Sequence, residues 1–229
     1  VAGIASVIDT WYYHVSEYFR INPSGVVWVG VFAVPGTYNF AEVQTLQVAA
    51  AGAIRQVGVY ADARAIVTNG AADTLALQTI CTTLDTNKMP LSAVLAENMA
   101  AVTDLTTLIN LALLTYNYVS VNISQDGAGN GWSLYKASGI SVTNLGAIMG
   151  AISVASVGAS IAQPITTYNI SDGVENQLPA IANNTLMTAV SVGLQTQLDQ
   201  YRYIYAGTYV GYTGTYFSSS HTAIISNSN

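Results

Sequence analysis

Arg55-Gln56-Val57-Gly58-Val59-Tyr60, a helical stretch from Asp73 to Thr86, and Leu91-Ser92-Ala93-Val94-Leu95-Ala96 together decide the fold. Two short β-favouring runs joined by one helix-length segment make a βαβ unit, which lays its two strands parallel. The alternation extends in both directions. Upstream, Val26-Val27-Trp28-Val29-Gly30-Val31-Phe32 is a continuous apolar run of the kind found in a strand covered on both faces. Pro35-Gly36-Thr37 breaks it. A helix capped by Asn39 follows, with Val43, Leu46, Gln47 and Ala50 on one face and Gly52 at its close.

Further downstream the pattern predicts a helix over Asp104–Leu114 and a strand over Tyr118–Ile123. After a polar, Gly-rich loop from Gln125 to Gly131 comes a helix from about Asn144 to Ala159. At the start of the chain, Ser6 or Asp9 caps a helix running to about Phe19, with Trp11, Val15, Tyr18 and Phe19 at helical spacing. The Asn22-Pro23-Ser24-Gly25 turn ends it. The last stretch differs: a helix near Asn184–Asp199 leads into the short runs Tyr201–Ala206, Tyr209–Phe217 and Thr222–Ile225, which suggest antiparallel strands. The expected fold is therefore α/β: a mostly parallel sheet flanked by helices on both faces, with a C-terminal antiparallel hairpin. Without a long repeat or a Pro-rich linker, one domain is the simplest organisation.

Charge is scarce. Asp, Glu, Lys and Arg make up 8% of the 229 residues, against roughly 25% in ordinary soluble domains. No charged side chain occurs between Ala137 and Ser171, or after Arg202. Two explanations fit: an outside that faces other protein in a permanent assembly, or a surface made polar by Ser, Thr, Asn, Gln and Tyr. The net charge of -6 argues against a nucleic-acid partner, which calls for clustered Lys and Arg. It gives no reason to expect attraction to anionic lipid either. The apolar segment Leu145–Ile161 falls short of the roughly 20 residues of a membrane span, and its Ala, Gly, Ser and Val point to a buried helix with a small-residue packing face. Cys81 is the single cysteine, which excludes a disulfide framework and reads as a small buried hydrophobe. Val1 and the polar end Ser226–Asn229 read as cuts or ordering limits rather than natural termini.

The search for chemistry returns little. His14, between Tyr13 and Val15 on the first helix, reads as a packing or surface residue. His221 follows Ser218-Ser219-Ser220, but no Gly-x-Ser-x-Gly elbow accompanies it. The twelve carboxylates are scattered, and no His or Cys pair has ligand spacing. The loop around Asp126 lacks the closing Glu of a calcium site. Its Gly127, Gly129 and Gly131 lack the third glycine offset of a dinucleotide fingerprint. The expectation is no catalytic, cofactor or metal site.

Three stretches resemble contractile tail sheath proteins of phages and related injection machines. The first is Trp11 to Pro23 leading into Val26-Val27-Trp28-Val29. The second is Ala51-Gly52-Ala53-Ile54-Arg55-Gln56-Val57-Gly58-Val59-Tyr60. The third is Tyr203-Ile204-Tyr205-Ala206-Gly207 with Gly211–Phe217 and His221-Thr222-Ala223. The resemblance implies a subtilisin-like α/β core without the protease triad, residues 1–229 being a single sheath-core domain that lacks the N-terminal arm and C-terminal domain. It also implies a non-enzymatic subunit of a virion tail, or of a particle assembled in the bacterial cytoplasm. Its partners would be copies of itself, an inner tail tube, and baseplate and terminator proteins, with no nucleic acid or membrane. Arg20, Arg55, Arg64, Glu97, Asp172 and Arg202 are left to set interface register. The alternatives are an α/β hydrolase using His14 or His221, and a surface binding module with a groove bordered by Tyr203, Tyr205, Tyr209 and Tyr212.

Overall fold

The computed structural model describes residues 10–99, 102–114, 116–123, 143–158, 168–169, 191–207 and 216–217. Helix α1 (Thr10–Ile21) comes first, then α2 (Ala41–Ala49), strand β1 (Gln56–Ala65), α3 (Ile66–Thr86) and β2 (Ser92–Asn98). Strand β3 (Val119–Asn122), helix α4 (Leu145–Gly158), β4 (Tyr168–Asn169) and helix α5 (Val192–Gln200) follow. The short strands β5 (Tyr203–Ile204), β6 (Ala206–Gly207) and β7 (Tyr216–Phe217) complete the series. The main sheet has the order β1-β2-β3-β5, all parallel, and a second antiparallel sheet has the order β4-β7-β6. The fold is thus α/β, with a small antiparallel addition at the C-terminal end.

Register fixes which helix covers which face. Gly58 pairs with Val94 and Tyr60 with Ala96, so these four side-chain positions share one face. A Cβ at Gly58 would meet Leu145 and Met149, which puts α4 there. Glu97 belongs to the opposite face, where it interacts with Asp73 of α3. On that side α3 buries Ile66, Gly70, Asp73, Thr74, Leu77, Gln78, Cys81 and Leu84, an i, i+3, i+4 stripe. Leu77, Leu84, Leu95 and Val121 have no exposed surface, each contributing about 1.5–3 kcal/mol of burial.

Hydroxyls substitute for charge on the outside of α3. Thr79, Thr82, Thr83 and Thr86 are exposed, and each donates its hydroxyl to the carbonyl four residues back. On the other face α1 packs across α4, and the small-residue face expected for α4 is present. A Cβ at Gly146 would stand 2.0 Å from the His14 carbonyl oxygen, and one at Gly150 would stand 2.8 Å from that of Tyr18. Among the described residues no helix is long and apolar enough to cross a membrane.

Several expectations are corrected. Residues 26–32 form no strand, and Val26 88%, Trp28 52%, Val31 63% and, just beyond, Val34 67% are exposed. Propensity records what a segment suits, whereas pairing requires a neighbour, and among the described residues neither sheet supplies one here. The helix expected over Asp104–Leu114 is two 3₁₀ turns, Val102–Thr107 and Leu111–Leu113. Asn110 explains the break: its side chain accepts from the Ala112 amide, a local bond that competes with helix continuation. In α1 the buried side chains are Tyr13, Glu17 and Tyr18, while Trp11 and Phe19 are exposed. Helix α3 starts at Ile66, well before Asp73. Ser6, Asp9, the 125–131 loop with Asp126, Asp172, residues 184–190, Tyr209, Tyr212 and His221 lie outside the described residues.

Candidate functional site

In open α/β sheets ligands gather outside the carboxyl ends of the strands. Arg64 stands near that end of β1 and Glu97 near that end of β2, with Asp73 reaching in from α3. Arg64 donates to both carboxylate oxygens of Asp73, Nε at 2.7 Å and Nη2 at 2.6 Å. Its guanidinium also lies 4.3 Å from the centre of the Tyr38 ring. Glu97 is completely enclosed. Burial, reinforced by a hydrogen bond and the charge of Asp73, pushes its carboxyl up to about 9 against the opposing pull of Arg64. Arg64 and Asp73 therefore pair, and Glu97 beside them is protonated at neutral pH.

The neighbouring polar groups are similarly occupied. Tyr203 donates its hydroxyl to the Ile109 carbonyl at 3.0 Å, and burial, then the Glu97 charge, raises its pKa. Asn122 donates to Asn144 at 3.2 Å. Among the described strands, spatial order follows chain order, so there is no reversal point to open a crevice. No group of three or more metal-ligating side chains occurs among the described residues.

His14 lies elsewhere, between α1 and α4. Its Nδ1 accepts from the Gly146 amide at 3.4 Å, and its ring packs against Tyr13 and Tyr60. Burial pushes its pKa down to about 3, so the ring is neutral. Cys81 is buried, as expected for a small hydrophobe, and burial pushes its thiol up to about 12. Tyr203 and Tyr205 are buried core side chains. Of the charges expected to set interface register, Glu97 is internal and Arg64 is tied to Asp73. Arg20 pairs with Glu17 one turn back in α1, and Arg55 bonds the carbonyls of Gly52 and Ile54.

Among the described residues the longest run of exposed apolar side chains is the 26–34 segment. Val26, Val27, Trp28, Val29, Val31, Phe32 and Val34 are all exposed. The sequence contained the signal for it, an apolar run with no charge between Pro23 and Ala41, but assigned it to the interior. The Arg64–Asp73–Glu97 cluster escaped sequence reasoning because its members are far apart in the chain. The available clue was rare charges falling just after apolar strands. No protein-family model matches this chain, and comparison with curated proteins finds no match.

Proposed function

We propose that this chain is a structural subunit that works by associating with copies of itself, as the core of a contractile sheath of the kind its sequence resembles. The observation that carries the reading is the exposed apolar run 26–34 on a chain with 8% charged residues. Contiguous exposed apolar surface of this extent is characteristic of protein–protein contact. In this reading the subunits stack in rings around an inner tube, between baseplate and terminator proteins. A rigid subunit then has two packings, one extended and metastable, one contracted and lower in energy. Small differences per contact, multiplied over many copies, supply the work. The internal pairing of Arg64, Asp73 and Glu97 suits such a subunit, because contacts can exchange without stranding those charges.

The hydrolase alternative gains nothing from His14, whose Nδ1 accepts from the Gly146 amide between α1 and α4. Electron microscopy under assembly-promoting conditions tests the proposal: rings or helical tubes are expected. Persistent monomers at high concentration overturn it.

A further inference from the structure

We propose that α1 is an acid-released clasp: protonation of His14 lifts this helix off α4 while the α/β core stays folded, an inference independent of the self-association reading above. Among the described residues α1 stands outside the apolar cluster built on the main sheet. Its buried Tyr13 and Tyr18 do not belong to that cluster, and only Ile21, its last residue, packs against it. Tyr13 packs instead against Tyr60 of β1. The remaining ties run to α4. The Asn22 side chain donates to Ser153 at 2.9 Å, and the two backbones meet at Gly146 and Gly150, where an added methyl would strike the carbonyl oxygens of His14 and Tyr18. A helix attached in this way can leave without dismantling the sheet.

His14 sits at the point of closest approach. Its Nδ1 accepts from the Gly146 amide at 3.4 Å, which assigns the proton of the neutral ring to Nε2. Nε2 is enclosed, with no hydrogen-bond partner among the described residues. A second proton therefore enters at Nδ1, directly opposite the Gly146 N–H. The acceptor becomes a donor, and the contact turns from attraction to repulsion at a separation that admits no water.

Among the described residues nothing beside the ring offsets the new charge. From α1 itself come Tyr13, whose ring meets His14 edge-on, and Glu17, which is paired with Arg20 on the same helix. From β1 comes the Tyr60 phenol, its ring centre 4.8 Å from that of His14. Helix α4, from Leu145 to Gly158, carries no ionisable side chain. Burial accordingly takes the His14 pKa from 6.5 down to about 3. Docking of α1 is thus undiminished above the upper value and weakens as pH falls toward the lower one, by about tenfold per pH unit. Release bares the Gly146 and Gly150 side of α4, a surface without charge.

Amide hydrogen exchange on the full chain, corrected for the intrinsic effect of pH, tests the clasp. Between pH 6.5 and 4.5 the expected result is a fall of about fiftyfold in the protection of residues 12–21 and of the Gly146 amide, with α3 and β2 unchanged. His14→Asn keeps a side-chain acceptor for the Gly146 amide but takes up no proton. Its α1 protection, whatever the level, should stay constant over the same range. Loss of protection in α3 and β2 in step with α1 overturns the proposal, because the helix then leaves only with global unfolding. Protection of α1 that holds at pH 4.5 overturns it as well. So does an equal fall in His14→Asn, which would place the sensitivity on another group such as Glu17.

Discussion

The Arg64 guanidinium grips the Asp73 carboxylate through two parallel hydrogen bonds, joining the carboxyl end of β1 to the third turn of α3. Asp73 is buried, while about a quarter of the Arg64 side chain remains exposed, at 26%. Geometry of this kind restricts both side chains and leaves no slack between strand and helix. Arg64→Met should therefore cost about 3 kcal/mol, most of it from leaving a buried carboxylate beside Glu97 without its cation. Urea denaturation reads the loss. Removing both partners together, with Arg64→Met and Asp73→Leu, should cost less than the sum of the single changes. Additive losses would show that the two groups do not act as a pair.

Glu97 and His14 shape stability in opposite directions along the pH axis. The Glu97 carboxyl rises from an ordinary 4.5 to about 9 in the fold, so between those values the folded state holds a proton the unfolded chain has released. Its contribution is intact below the lower value and is lost as pH rises, at up to about 1.4 kcal/mol per unit. His14 falls from 6.5 to about 3, so its contribution is present above the upper value and is lost as pH drops toward the lower one. Where the windows overlap the slopes oppose, predicting a stability plateau near pH 4.5–6.5 that falls away on both sides. Denaturation from pH 3 to 9 measures it. Glu97→Gln should flatten the alkaline limb alone, and His14→Asn the acid limb alone. A wild-type curve still rising between pH 7 and 9 would contradict this account.

Helices α1 and α4 touch backbone to backbone at Gly146, where a methyl group would stand 2.0 Å from the His14 carbonyl oxygen. The obstacle is main chain, so no rotamer change relieves it. Gly146→Ala should push the helices apart and cost about 3 kcal/mol or more, at the severe end of overpacking. Gly36→Ala is the control, because nothing lies within 4 Å of its added methyl, and it should be near neutral. A thermal midpoint for Gly146→Ala equal to that of the control would remove the close approach from the argument.

Residues whose role is set by their own segment were legible in the sequence. Val57 to Tyr60 and Ala93 to Ala96 read as parallel strands because short apolar runs around a helix have few other solutions. The small-residue face of α4 was legible from its Ala, Gly and Ser content, and the buried Cys81 from its helix face. Roles set by a distant partner were not legible. The 26–34 run has the composition of an interior strand, but its exposure depends on whether another strand lies beside it. Asp104–Leu114 has helical spacing, yet one side-chain bond from Asn110 to the Ala112 amide diverts it into 3₁₀ turns. The contacts among Arg64, Asp73 and Glu97 follow only once β1, α3 and β2 are assembled.

Gln47 shows how much one neutral side chain can do in a protein this poor in charge. It is fully enclosed: its Nε2 donates to the carbonyls of Ile54 at 2.9 Å and Met89 at 3.0 Å, and its Oε1 accepts from the Ile54 amide at 3.1 Å. That arrangement uses both donors and ties α2 to the segments entering β1 and β2. Gln47→Met keeps the bulk and strands three backbone groups, which should cost about 2 kcal/mol. Gln47→Glu separates charge from shape. Ionised, it has no donor for the two carbonyls and carries a charge where water does not reach, so near pH 7 it should be less stable than Gln47→Met. Protonated, it regains one donor and keeps an acceptor, so near pH 4 it should be the more stable of the two. Denaturation of both variants at the two pH values decides the matter, and an order that does not reverse would mean that Gln47 contributes packing rather than hydrogen bonds.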